Sequence, residues 1–231
     1  MRFDGRKNNE LRPIKFTKNF TKNAPASVLV EFGDTKVIVC ASYEEVKPKW
    51  MPKDEVGGWL TAEYSLLPSS TSTRCQRERT KISGRTQEIQ RLIGRSLRSV
   101  VDLKKLGDRT ITIDADVIQA DGGTRVSSIC GGFVALQILV EKLMADGSLT
   151  ENPIIEPLGA VSAGIVDGEV VLDLNYAEDS TAQVDSNVVM TRSGKIVEFQ
   201  TTAEGEAFTK EQLDEIYSLC KAGIEDIISK Y

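Results

Sequence analysis

Gln119-Ala120-Asp121-Gly122-Gly123-Thr124-Arg125 joins two stretches of different period. Upstream, residues 110–118 alternate apolar and polar side chains, the period of two of a β-strand. Downstream, residues 126–144 are long and apolar on a helical period, with Phe133, Leu136, Leu139, Val140 and Leu143 on one face. A glycine turn therefore leads from a strand into a helix N-terminus. There the first backbone N–H groups lack partners and the helix dipole favours an anion. Thr124 is placed to cap the helix with its hydroxyl, and Arg125 adds a forked cation beside it. Phosphate suits this chemistry best. A plain Asp-Gly turn leading into a capped helix accounts for the same residues without a ligand.

Working towards the N-terminus, residues 27–32 and 36–42 flank Gly33-Asp34-Thr35 as a hairpin. A loop of Lys, Pro and Gly with Trp50 inside it spans 44–58, and residues 60–66 form another strand. That strand ends at Pro68 and passes through Ser69-Ser70-Thr71-Ser72-Thr73 into Arg74-Cys75-Gln76-Arg77-Glu78-Arg79, a polar segment expected to move freely without a partner. Gly84-Arg85-Thr86-Gln87-Glu88 opens a helix whose buried face is Ile89, Leu92, Ile93, Leu97, Val100 and Val101. Arg91, Arg95 and Arg98 share another face, which could be solvated, paired across a subunit contact, or set against RNA.

Towards the C-terminus, residues 158–166 and 170–174 make a hairpin about Asp167-Gly168-Glu169, and residues 187–191 and 195–201 another about Ser193-Gly194. Thr209 opens a last helix with Leu213, Ile216, Tyr217, Cys220, Ile224 and Ile227 inward. The pattern predicts an α+β fold in a single domain over residues 1–231. Each half, divided near 108/109, reads as hairpins followed by a helix, as an old duplication would leave it.

The 231 residues suffice for a sizeable core, and the N-terminus has no apolar signal segment. No apolar stretch reads as long enough to span a bilayer, so a cytoplasmic protein without a membrane partner is expected. Cys40, Cys75, Cys130 and Cys220 are too dispersed for a structural zinc site. There is no histidine, which excludes a Ser-His-Asp triad, a histidine-held zinc and a histidine base. Catalysis must rest on carboxylates, cations, hydroxyls, backbone dipoles or a metal held by oxygen. The net charge of −5 argues against indiscriminate nucleic-acid binding, yet residues 74–109 carry a local excess of Arg and Lys suited to a polyanion.

Asp173-Leu174-Asn175-Tyr176-Ala177-Glu178-Asp179 and Gln183-Val184-Asp185-Ser186-Asn187 bracket a short polar link between strands. Asp179 and Asp185, six residues apart in a turn that reverses the chain, can face one cavity and suit Mg²⁺ or Mn²⁺. Acidic residues between strands are also commonly plain surface solvation. Asp114 and Asp116, on one face of the central strand, read as supporting or structural rather than as ligands.

Several blocks together resemble the bacterial ribonuclease PH family. They are Asp4-Gly5-Arg6, Val30-Glu31-Phe32-Gly33-Asp34-Thr35, Thr61-Ala62-Glu63-Tyr64, Gly84-Arg85-Thr86-Gln87-Glu88-Ile89-Gln90-Arg91, Gln119 through Arg125, and Tyr176-Ala177-Glu178-Asp179-Ser180. The resemblance implies two related βαβ-type halves with mixed sheets and packed helices. It implies a phosphate-dependent 3′→5′ exoribonuclease acting on precursor transfer RNA and other RNAs, assembled as a homohexameric ring of three dimers. On that resemblance Arg85, Gly123, Thr124 and Arg125 bind phosphate, Asp179 and Asp185 carry the catalytic and metal roles, and the segment with Arg74, Arg77 and Arg79 holds RNA, with no role for DNA. Ser69 stands where the family usually has arginine. Three other readings compete: a catalytically silent RNA-binding ring subunit, a metal-dependent hydrolytic nuclease, and a phosphate-binding enzyme of small molecules.

Overall fold

The Gly33 turn, with φ at +56°, joins β2 (Ala26–Phe32) to β3 (Thr35–Glu44) in the expected antiparallel hairpin. The short β1 (Ile14–Lys18), which sequence alone did not single out, extends the sheet along the free edge of β2. β4 (Trp59–Leu66) pairs in parallel with β5 (Thr110–Gln119). Parallel neighbours need a crossover, and here it contains α1 (Gly84–Arg98) and a 3₁₀ turn at Leu103–Leu106. Together these strands make a five-stranded sheet in the order β1-β2-β3-β5-β4. The computed structural model describes residues 2–231.

β5 thus belongs to the first sheet, and a division at 108/109 would part it from β3 and β4, the strands it pairs with. The second sheet begins only after α2 (Thr124–Ala145). It holds β6 (Leu158–Val166), β7 (Glu169–Leu172), β8 (Val184–Thr191) and β9 (Ile196–Ala203) in the order β7-β6-β8-β9, antiparallel throughout. The α+β class holds. The parallel βαβ connection lies in the first sheet only.

α2 is the axis of the core. It is buried around most of its circumference because β2 and β3 pack on one side of it and β6 on the other. By length and composition it could cross a bilayer, contrary to the reading that no stretch approaches that length, but its burial between the sheets explains its apolar character. α1 lies on β4 and α2 through Ile89, Leu92, Ile93 and Leu97. α4 (Lys210–Ile228) starts at a capping box between Thr209 and Gln212 and packs Ile216, Cys220, Ile224 and Ile227 on the second sheet.

Candidate active site

Both glycines of the central turn are left-handed, Gly122 at φ +73° and Gly123 at φ +68°. Neither has room for a side chain. A Cβ on Gly122 would come within 2.7 Å of the Leu174 carbonyl, and one on Gly123 within 2.9 Å of the Arg12 guanidinium. The loop is thus pressed against the link between β7 and β8. Gly123 itself is the N-cap of α2 and no side chain caps this helix, which corrects the capping role expected of Thr124. The Thr124 hydroxyl hydrogen-bonds the Tyr64 hydroxyl instead, at 2.9 Å. The αL turn puts glycine where the cap must stand, and it leaves the first amides of α2 free of side-chain acceptors.

Two helices begin at this point. Arg85 lies in the first turn of α1 and Arg125 in the first turn of α2, and neither first turn contains an acid. A cation at a helix N-terminus adds to the positive end of the dipole, an arrangement suited to an anion. At α1 the Glu78 carboxylate already offsets part of it, accepting from the Ser83 amide and the Thr86 hydroxyl, each at 3.2 Å. Arg125 has only loose local partners, Glu88 at 3.5 Å and the Gln200 side-chain oxygen at 3.3 Å. Arg85 is exposed.

Facing them are the two aspartates. Asp179 ends α3 (Tyr176–Asp179), a single turn started by a capping box between Asn175 and Glu178. Its neighbour Glu178 is buried and held by Arg2 at 2.6 and 2.7 Å. Asp185 does not sit in a reversing turn as the sequence suggested. It is the second residue of β8, and Asn187, two residues on along the same face, donates to it at 3.3 Å. Burial raises the Asp179 carboxyl above its ordinary value of 3.8, while Arg85, Arg125 and Arg12 oppose the rise. Asp179 lines the cavity and is still open to solvent. Burial raises Asp185 as well, and the nearby Asp179 adds to it, with Arg125 and Asn187 opposing.

One cavity of about 640 Å³ unites these segments. Arg85, Gly123, Thr124, Arg125, Asp179 and Asp185 all line it, with Tyr64, Tyr176 and Asn187. Arg74, Arg77 and Arg79 are not part of its wall. They are exposed and without ion-pair partners among the described residues, and the preceding Thr71-Ser72-Thr73 forms part of the cavity edge. The arginine face of α1 is partly used within the chain: Arg95 pairs with Glu198 at 2.7 Å, and Arg98 stacks on Trp59 and donates to the Leu60 carbonyl. Asp114 and Asp116 lie on the face of the first sheet opposite the helices, outside the cavity.

Among the described residues no group of three or more Cys, Asp or Glu could enclose a metal. Asp179 and Asp185 are the pair that could hold one, and two carboxylates suit an ion that keeps most of its shell as water. Their mutual repulsion and upward shifts fit that use, since a divalent charge would relieve both.

The family model described as 3′ exoribonuclease family, domain 1 (RNase PH), matches residues 10–140, and that of domain 2 matches residues 156–222. The chain belongs to the RNase PH family of 3′ exoribonucleases. Solved structures of similar fold include rice (Oryza sativa) Rrp46, with TM-score 0.77, 22% identity, and coverage of 98% of this chain and 95% of that one. The Archaeoglobus fulgidus exosome with RNA bound to the active site gives TM-score 0.84 at 22% identity, covering 99% and 92%. An archaeal exosome core gives 0.79 at 21%, covering 99% and 90%. At these identities the likeness is one of fold.

Proposed function

We propose that this family member is a phosphate-dependent 3′→5′ exoribonuclease, with precursor transfer RNA as a substrate. The observation that carries the reading is the convergence of two arginine-bearing helix N-termini and two raised carboxylates on one cavity. Inorganic phosphate would be received by Arg85, Arg125, Thr124 and the amides after Gly123. An oxygen of that phosphate attacks the phosphorus of the last phosphodiester, and the bond to the 3′ oxygen breaks. The products are a nucleoside 5′-diphosphate and an RNA one nucleotide shorter. No side-chain nucleophile takes part, in keeping with a chain that has no histidine. The protein positions two polyanions and neutralises their charge. Asp179 and Asp185 would hold Mg²⁺ or Mn²⁺, which supplies charge neutralisation at the scissile phosphate.

The exposed Arg74, Arg77 and Arg79 next to the cavity edge would carry the RNA strand away from the site, and ring assembly into a hexamer would let neighbouring subunits share a long substrate. A catalytically silent ring subunit is the second reading, since chains of like fold stand in exosome assemblies. The residues for phosphate and for metal are all present, which supports activity. Incubation with a 3′-extended RNA, with and without phosphate, separates these readings. Nucleoside diphosphates released only with phosphate support phosphorolysis. Monophosphates released without it indicate hydrolysis, and bound but intact RNA indicates a silent subunit.

A further inference from the structure

Beneath the cavity floor lies a buried group of charges that this reading does not use. Arg12, just before β1, and Asp173, between β7 and α3, are both almost wholly out of solvent. Asp173 accepts three bonds from this one residue: the Arg12 amide at 2.7 Å, Nε at 3.0 Å and Nη2 at 2.7 Å. The remaining nitrogen, Nη1, turns the other way and donates at 2.5 Å to the carbonyl of Asp121, the residue before the two glycines. The Asp121 carboxylate in turn accepts the amide of Tyr176, first residue of α3, at 3.2 Å. One planar cation thus ties the glycine loop to the segment that launches the helix of Asp179.

The surroundings are shaped to admit that cation. A Cβ on Gly33 would meet the Arg12 stem at 2.8 Å, and one on Gly123 would meet its head at 2.9 Å. Asp173 is itself held at φ +55°, a conformation that costs a residue with a side chain. A buried ion pair adds little stability over apolar packing of the same volume. A forked guanidinium does fix direction, because its donors are set in one plane. A lysine nitrogen, being a single point, could not serve Asp173 and the Asp121 carbonyl in the same way.

We infer that Arg12 is a positioning residue, which sets the distance and angle between the loop receiving phosphate and the helix carrying Asp179 without touching either substrate. The inference rests on the phosphorolytic reading. Arg12→Lys keeps the charge and loses the second arm. It should lower kcat by roughly ten- to a hundred-fold and raise the KM for phosphate, as ångström-scale misplacement does, in a protein that still melts cooperatively. Thr35→Val is the comparison. It removes the hydroxyl that accepts the Asp121 amide at 2.9 Å and donates to the Gly122 carbonyl at 2.6 Å, so it loosens the loop alone. There the KM for phosphate should rise by more than kcat falls.

Kinetic constants of Arg12→Lys within about two-fold of the parent would overturn the inference, as would a loss that merely tracks the unfolded fraction. If Arg12→Lys does not fold, the unmodified protein decides the matter by hydrogen exchange with and without inorganic phosphate. Protection gained at both 121–124 and 173–176 supports the link, and protection gained at 121–124 alone refutes it. An unmodified protein that neither gains protection from phosphate nor releases nucleoside diphosphate sinks the phosphorolytic reading and this inference with it. Active parent protein beside an indifferent Arg12→Lys sinks this inference alone.

Discussion

The two aspartates of the cavity are held in the state that a charged ligand would relieve. Because burial and the neighbouring Asp179 raise the Asp185 carboxyl, the folded protein binds that proton more tightly than the unfolded chain does. The sign follows: this group's effect on stability turns unfavourable as pH rises from the ordinary 3.8 through the raised value, and it stays so above. Asp185→Asn should therefore melt at a higher temperature than the parent at pH near 7 in EDTA without phosphate. The gain, a fraction of about 1 kcal/mol once its partial exposure is discounted, should vanish below the unfolded value. Thermal melts across pH test this, and a lower melting temperature at neutral pH would count against it. In the same protein phosphorolysis should fall by roughly 10²-fold or more, the usual cost of losing one electrostatic contact to the transition state. Asp179→Asn should lose activity likewise while staying folded and binding RNA. At limiting metal, where protons compete for the two carboxylates, the acid limb of the parent's rate profile should lie above the ordinary carboxyl range. Asn187→Ala, which removes a donor that holds Asp185 down, should move that limb to higher pH.

At the scale of elements, α2 reaches the first sheet only because Gly131 has no side chain. A Cβ there would collide with a methyl carbon of Val30 and stand 2.8 Å from one of Val39. Gly131→Ala should cost about 1–3 kcal/mol by overpacking, measurable as a lower urea midpoint with an unchanged m-value. An unchanged midpoint would mean that the helix can retreat freely from the sheet. The elements legible in the sequence were those with a long apolar period or a glycine turn between alternating runs, such as α2, α4 and the hairpin of β2 and β3. β1 is short and follows Pro13, so it carries little signal of its own. α3 is four residues long, and its cap makes sense only with Arg2 closing on Glu178 from the far end of the chain. Asp185 read as part of a polar turn because Asp185 and Asn187 face the cavity instead of the core, so a strand that lines a site resembles a loop. The cavity residues carried short-range signals, namely glycines, a basic helix start and an acidic pair. Arg12 and Asp173 are 161 positions apart, and nothing local to either marks the other.

For the whole molecule, the proposed function requires a chain of net charge −5 to grip a polyanion. The segment Thr71-Ser72-Thr73 borders the cavity, and Arg74, Arg77 and Arg79 continue from it, exposed and without internal ion pairs among the described residues. An RNA whose 3′ end occupies the cavity would meet these cations upstream of it, although Arg77 stands near enough to Asp116 to oppose the rise of that carboxyl. Each phosphate neutralised by such a cation releases condensed counterions, which gives a slope of about −0.7 in log K against log salt per contact on a single strand. Replacing all three arginines by alanine should therefore weaken RNA binding and flatten that slope by about 2, if each contacts one phosphate of the strand entering its own subunit. In a ring, where one RNA touches more than one subunit, the change should exceed this value. A slope unaltered by the triple replacement would move the RNA path off this segment, and the basic face at Arg91 and Arg95 would be the next surface to test.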